Sequence, residues 1–309
     1  MEVFMFCSRC GSYTTPDPSD LCGKCRRETN DSLATQVNPK LLKQAVFTYF
    51  FLFVTGAVLF GALSGFAYGL FHPDVAIDPL NPSDSYMNFV STLSNFFTYL
   101  LVTTVIALML KTYLVRDWKE AIKNKAKTFL NGFGGWIVVL ASAVVAGLIM
   151  EALGTPQDSS NQAEIVAIIT GEFGFLMIFV TIIAAPIVEE LIFRKAIIDG
   201  LERSTKLKLP VILLISSLLF ASIHIVSEVA NLFGEDVTFL EGALGLLQIL
   251  PFLFMGVALG LVYKYSKNNV IVPIIAHVFQ NAFATIMVFV GPELLQSENI
   301  SAWILTLFR

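Results

Sequence analysis

The chain has 309 residues, 55% of them hydrophobic and only 14% charged, with a formal net charge of −4 and a mean hydropathy of +0.72. Soluble domains carry roughly a quarter charged residues, so about half the usual solvating charge is missing, which excludes an ordinary soluble domain. The charges are sorted by loop rather than gathered on one face, so no basic nucleic-acid surface exists and no nucleic-acid partner is expected.

The first forty residues are polar. Glu2, Cys7, Arg9 and Cys10 arrive before any apolar core, which is not the pattern of a secretory signal peptide. All four cysteines lie here, as Cys7-Ser-Arg-Cys10 and Cys22-Gly-Lys-Cys25. Each CxxC places two thiolates on one tight turn, and two turns supply the four ligands of a tetrahedral Zn²⁺ site. Gly11 and Gly23 suit the positive-φ conformations of such turns. Two disulfides are the alternative, disfavoured by a cytoplasmic position; a redox CxxC would need a βαβ setting that is absent. Residues 1–30 are therefore read as a zinc ribbon whose metal, held by Cys7, Cys10, Cys22 and Cys25, supplies the folding energy of a piece too small to bury a core. Four thiolates leave no coordination site open for catalysis, so the role is structural, with a protein partner as one use. Residues 31–44 form a linker.

Seven apolar runs follow: Ala45–Phe71, Met87–Leu110, Phe133–Met150, Phe173–Phe193, Leu209–Val226, Ala243–Tyr263 and Val270–Val290. About 18 uncharged, mostly apolar residues suffice to cross the roughly 30 Å hydrocarbon core as a helix, and the first two runs hold no Asp, Glu, Lys or Arg at all. The connections alternate in charge. Asp74, Asp78 and Asp84 follow the first span; Lys111, Arg116, Lys119, Lys123, Lys125 and Lys127 follow the second. Glu151–Glu172 is free of basic residues, Arg194–Lys208 is basic, Glu228–Glu241 is acidic, and Lys264 and Lys267 restore the positive sign. By the positive-inside rule the basic loops and the N-terminus are cytoplasmic. The expected fold is an all-α, polytopic transmembrane helix bundle in the cell membrane with a small N-terminal four-cysteine zinc-ribbon module: residues 45–172 as N-terminal helices, 173–290 as a second group, 291–309 as a tail. Trp303–Phe308 is too short to cross. Leu114–Leu130 mixes Lys with Trp118 and Phe129 and reads either as an interfacial helix or as a solvated connector. His72, in an acidic loop, reads as a surface histidine, and the 27 phenylalanines as lipid-facing packing.

Polar residues interrupt the later spans in three places: Glu189-Glu190-Leu-Ile-Phe-Arg194 just after Pro186, Phe220-Ala-Ser-Ile-His224, and His277-Val-Phe-Gln-Asn281. An ionisable group inside a bilayer costs about 2.5–3.5 kcal/mol on insertion scales, and such residues are turned toward partners and function. Glu190 and Arg194 share a helical face as an i,i+4 pair. Glu189 lies about 100° around and is left free; Phe220 packs one turn before His224; His277 and Asn281 share another face. Together they are parts for water-mediated hydrolysis: a buried carboxylate as general base, His224 to align the water, and His277 with Asn281 to donate to an oxyanion. No serine or cysteine nucleophile is needed.

The EExxxR, FxxxH and HxxxN series resembles the CPBP family of intramembrane proteases, which includes the type II CAAX prenyl endopeptidases and bacterial proteins linked to bacteriocin processing or immunity. The resemblance covers Phe173–Val290. It implies Glu189 and His224 for water activation, His277 and Asn281 for oxyanion stabilisation, and Glu190 and Arg194 for support. It also implies a metal-free, glutamate-type mechanism, with Zn²⁺ on Glu189, His224 and His277 as the alternative. The expected substrate is a peptide or lipidated protein cut near or within the membrane, in a bundle opening toward the cytoplasmic leaflet. Competing readings are a non-catalytic immunity or scaffold protein, and a proton-coupled transporter, which the lack of an evident inverted repeat disfavours. Span counting leaves one tension: Glu189 falls near the cytoplasmic end of its span, whereas His224 falls roughly 22 Å along its own. Convergence requires the Glu189 helix to run past Phe193, or the His224 helix to begin below the membrane surface.

Overall fold

A computed structural model of the chain describes residues 5–6, 13–14, 38–75, 77–78, 81–155, 160–232 and 239–296. Two units separate at residue 38. In the first, β1 (Met5–Phe6) pairs antiparallel with β2 (Tyr13–Thr14), Met5 opposite Thr14 and Phe6 opposite Tyr13. In sequence this hairpin brackets Cys7 and Cys10. The four cysteines, and with them the predicted zinc ribbon, lie outside the described residues, as does Trp303–Phe308.

The second unit is helical among its described residues: α1 (Pro39–Phe71), α2 (Asp84–Met109), α3 (Lys111–Lys123), α4 (Lys125–Leu153), α5 (Ser160–Ile169), α6 (Gly174–Ser204), α7 (Leu209–Ser222), α8 (Val226–Asn231), α9 (Phe239–Gly245), α10 (Ile249–Tyr265) and α11 (Ile271–Gln296). Boundaries follow local chemistry. Ser83 caps α2, its hydroxyl accepting from the Tyr86 N–H at 3.3 Å, and Gly154 ends α4 in the left-handed conformation. Six stretches are long and apolar enough to cross a bilayer: α1, α2, α4, α6, Gly242–Tyr265 and Ile271–Val290. The protein is a multi-pass membrane protein.

The predicted span Leu209–Val226 is corrected. Its helix, α7, has 14 residues, roughly 21 Å at 1.5 Å per residue, so the full-length spans among the described residues number six and not seven. The stop is made by the last residue of the FxxxH motif. The His224 N–H donates to Ala221 O at 3.0 Å, and the ring Nδ1–H donates to Phe220 O at 2.8 Å. Phe220 O is the carbonyl that a continuing α-helix would pair with the His224 N–H, so the histidine caps its own helix.

Long apolar side chains point outward along α1, with Phe47 71% and Phe66 67% exposed; on this scale such a surface belongs against lipid. α6 is the exception and the centre of the unit: 56% of its most apolar window is buried, against 11–33% in the other spans. Around it α1 packs on α2, α4 on α11, and α10 on both α4 and α7. Two glycines permit the closest approaches. A Cβ on Gly132 would stand 2.7 Å from Ile275 Cβ between α4 and α11, and one on Gly256 would stand 3.0 Å from Ser217 Cα between α10 and α7.

Candidate active site

The geometric tension left by span counting disappears in α6, which runs to Ser204, eleven residues past Phe193. Glu189 is then its middle residue rather than one near its end. The helix is not uniform. Residues 180–184 and 190–198 are π-helical, and the intervening turn carries Pro186 and Glu189; such wide turns recur at functional sites. In the first, the Ala185 N–H bonds Val180 O, five residues back. The next bond in that register would join residue 186 to Thr181 O, but proline has no N–H. Asn281 fills the place from α11, its Nδ2 donating to Thr181 O at 2.8 Å.

Glu190 and Arg194 are fully buried, with Arg194 Nε 2.9 Å and Nη2 3.5 Å from the Glu190 carboxylate. The predicted i,i+4 pair is present. Ser216 on α7 accepts from Arg194 Nη1 at 3.5 Å and donates to Phe193 O at 2.6 Å, and the guanidinium lies 5.1 Å from the Phe220 ring centroid. Phe220 thus touches the supporting arginine as well as the His224 ring, whose centroid is 4.6 Å away.

His277 stands between the two glutamates. Its Nδ1 is 3.0 Å from Glu190 Oε1, and its Nε2 is 3.8 Å from Glu189 Oε2. Because the arginine-paired carboxylate can only accept, Nδ1 carries the proton, and Nε2 faces Glu189 beyond direct hydrogen-bonding distance. His224 is oriented by the same logic. Its Nδ1–H is held by Phe220 O, its ring stacks on Phe252 at 4.5 Å and 20°, and in the neutral ring Nε2 is left as an acceptor.

One cavity of about 130 Å³ is lined by Glu189, His224, His277 and Asn281 together with Tyr99 and Thr181. A water occupies roughly 30 Å³ in the liquid, so the space suits a peptide carbonyl with an attacking water. A larger cavity of about 590 Å³ between the ends of α1 and α2 contains none of these residues and bears no relation to the polar set. All four predicted residues therefore come together, with the three supporting residues packed behind them. Among the described residues no group of three or more His, Cys, Asp or Glu is arranged to hold a metal ion.

Residues 188–200 are all buried, and below them lies a second polar cluster that the motif analysis missed. Lys195 Nζ reaches Asn268 O at 2.8 Å, Asp199 Oδ2 at 3.2 Å and Asp117 Oδ2 at 3.3 Å. Tyr263 donates to Asp199 at 2.7 Å, and the Val270 N–H to Asp117 at 3.0 Å. Its sequence signal was Lys195 and Asp199, four apart beside an apolar run; Asp117 gave none.

The family described as "Type II CAAX prenyl endopeptidase Rce1-like" matches residues 171–283. The membrane-embedded CAAX protease MroQ of Staphylococcus aureus (strain USA300) is 31% identical over 208 residues, covering 65% of this chain and 74% of that protein. The putative membrane peptidase YdiL of Bacillus subtilis (strain 168) is 29% identical over 212 residues, covering 67% and 75%. No solved structure matches. The matched stretch contains all three polar motifs, and by these similarities the chain belongs to the Rce1-like CAAX protease family and is a membrane protease.

Proposed function

We propose that the protein hydrolyses a peptide bond near or within the membrane by a glutamate-activated water. The observation that carries this is the shared cavity of Glu189, His224, His277 and Asn281, drawn from three separate parts of the chain. Glu189 takes a proton from the water as its oxygen adds to the scissile carbonyl carbon. His224 Nε2 accepts the water's other hydrogen and aligns it. The carbonyl oxygen becomes an oxyanion, received by the second amide hydrogen of Asn281 and by the His277 ring, which Glu190 holds in place. The protonated Glu189 then returns its proton to the leaving nitrogen as the C–N bond breaks, giving an acid and an amine. Glu190, Arg194 and Phe220 position these groups without touching the reacting atoms.

The substrate is a peptide or a lipidated protein. The N-terminus lies in the cytoplasm, as the basic loops indicate, and carries a zinc ribbon on Cys7, Cys10, Cys22 and Cys25, whose two CxxC pairs supply the four ligands of a tetrahedral site. Glu189→Ala and His277→Ala are expected to abolish cleavage while the proteins still insert. Cleavage retained in Glu189→Ala would remove the general base from the mechanism.

A further inference from the structure

We infer that α3 is a membrane-surface helix that recognises anionic phospholipid, with its lysines at the headgroups and Trp118 in the acyl boundary beneath them. The inference goes beyond the proteolytic reading and does not depend on it.

Its two ends fix where α3 lies. One non-helical residue, Leu110, joins it to the spanning helix α2, and one, Asn124, joins it to the spanning helix α4. Both ends are therefore held at the same membrane surface. The 13 residues between them, roughly 20 Å of helix, run along that surface rather than away from it.

Around its circumference α3 carries three strips. Tyr113, Asp117 and Ala121, each four apart, are buried, and Asp117 there meets the Lys195 ammonium of α6 and the Val270 N–H. Val115, Trp118 and Ile122, three and four apart, form an apolar strip that is 39%, 56% and 52% exposed. Lys119 and Lys123, four apart, stand on the strip beside it, and both are exposed. A connector surrounded by water would gain nothing from an exposed tryptophan between two aliphatic side chains. An interfacial helix sinks that strip into the acyl boundary and keeps its lysines at the headgroups, their stems lying along the apolar surface. Phe129 and Leu130, near the start of α4, are exposed as well.

Charge then selects the lipid. Residues 111–127 hold six basic residues against two acidic ones, Asp117 and Glu120. Asp117 is turned inward, and Glu120 is held by Lys123 at 2.7 Å. Lys111, Lys119, Lys125 and Lys127 are all exposed. A cluster of this size beside a span attracts anionic headgroups, each lysine near the surface strengthening the attraction about fivefold. A zwitterionic headgroup offers no net charge in return. The complement of this face is therefore an anionic phospholipid of the leaflet on which α3 lies.

The test places the full chain in lipid nanodiscs of equal parts phosphatidylcholine and phosphatidylglycerol, with bromine near the headgroup end of the acyl chains of one lipid or of the other. Bromine quenches tryptophan fluorescence on contact, and the Trp118 share is the difference between the full chain and its Trp118→Phe variant. Bromine on phosphatidylglycerol is expected to quench Trp118 about twofold or more above bromine on phosphatidylcholine. In the triple variant Lys119→Gln, Lys123→Gln, Lys127→Gln the two carriers are expected to quench alike, because the helix still lies in the interface but no longer selects its lipid. Salt at about 1 M, where the screening length falls to about 3 Å, is expected to do the same to the full chain. Equal quenching by the two carriers in the full chain at low salt, or a preference that survives the triple variant, overturns the inference. Absence of quenching by either carrier also overturns it, and is the result that a second copy of the chain or a protein partner covering α3 would give.

Discussion

His277 gives Nδ1–H to Glu190 Oε1 at 3.0 Å, so the carboxylate that neutralises Arg194 also fixes the imidazole that faces Glu189. The two adjacent glutamates have different work: one is bound on both oxygens, and the other is left toward the cavity.

Neutral isosteres separate those roles. Glu189→Gln is expected to lower turnover by about 10²–10⁴, the range of a lost general base, with an unchanged unfolding temperature in detergent. Glu190→Gln leaves the buried Arg194 charge without its partner and is expected to destabilise the protein by about 3–5 kcal/mol. Turnover and thermal unfolding measured on both variants check the contrast; equal effects on stability would contradict it.

Asn281 and Pro186 are predicted to be coupled. Asn281→Ala leaves Thr181 O without its donor, costing about 1–3 kcal/mol. Pro186→Ala restores a backbone N–H that can take that carbonyl. A double-mutant cycle in unfolding free energy is expected to show coupling of about 0.5–3 kcal/mol; strict additivity would contradict it.

Gly256→Val is predicted to act on the site from a distance. Its side chain meets Ser217 at the α7–α10 contact, and α7 carries His224 at its end. Overpacking costs about 1–3 kcal/mol, and turnover per folded molecule is expected to fall as the ring moves. Thermal unfolding and kcat on the purified variant measure both effects.

Lys195→Met removes the cation from Asp117 and Asp199 at once. The expected loss is about 3–5 kcal/mol, and Asp199→Asn in the same chain is expected to return part of it, because Asp199 is the carboxylate that loses its cation, whereas Asp117 keeps Arg116 at 2.6 Å. Unfolding of the single and double variants provides the check.

Metal dependence divides the two ends of the chain. The full chain is predicted to bind a single Zn²⁺ lost in Cys22→Ser, since four thiolates complete one tetrahedral site. A chain lacking the N-terminal forty residues is predicted to keep its cleavage activity under strong chelation. Activity lost on chelation and restored by Zn²⁺ would contradict a metal-free site.

What the sequence made legible were elements whose signals are local. Hydropathy located every full-length span, and spacing alone paired Glu190 with Arg194. The bringing together of Glu189, His224, His277 and Asn281 was legible only as a requirement, because it depends on how far α6 continues and where α7 stops. Both answers lie in features that hydropathy does not read: α6 carries apolar residues and buried charges alike to Ser204, and His224 ends α7 with its own ring. The Asn281–Thr181 bond needed knowledge of a π register at Pro186. The Lys195 cluster stayed hidden because Asp117 sits 78 residues earlier, on a helix whose exposed Trp118 and half-exposed Arg116 resemble an ordinary amphipathic surface.

The central claim is that Glu189 drives peptide hydrolysis in this membrane, and comparison of peptides from membranes of cells carrying wild type or Glu189→Ala at equal protein levels tests it most directly. The account predicts new peptide termini in the wild type that vanish in the variant while uncleaved precursors accumulate. Identical peptide profiles, with both proteins inserted and folded, would contradict it.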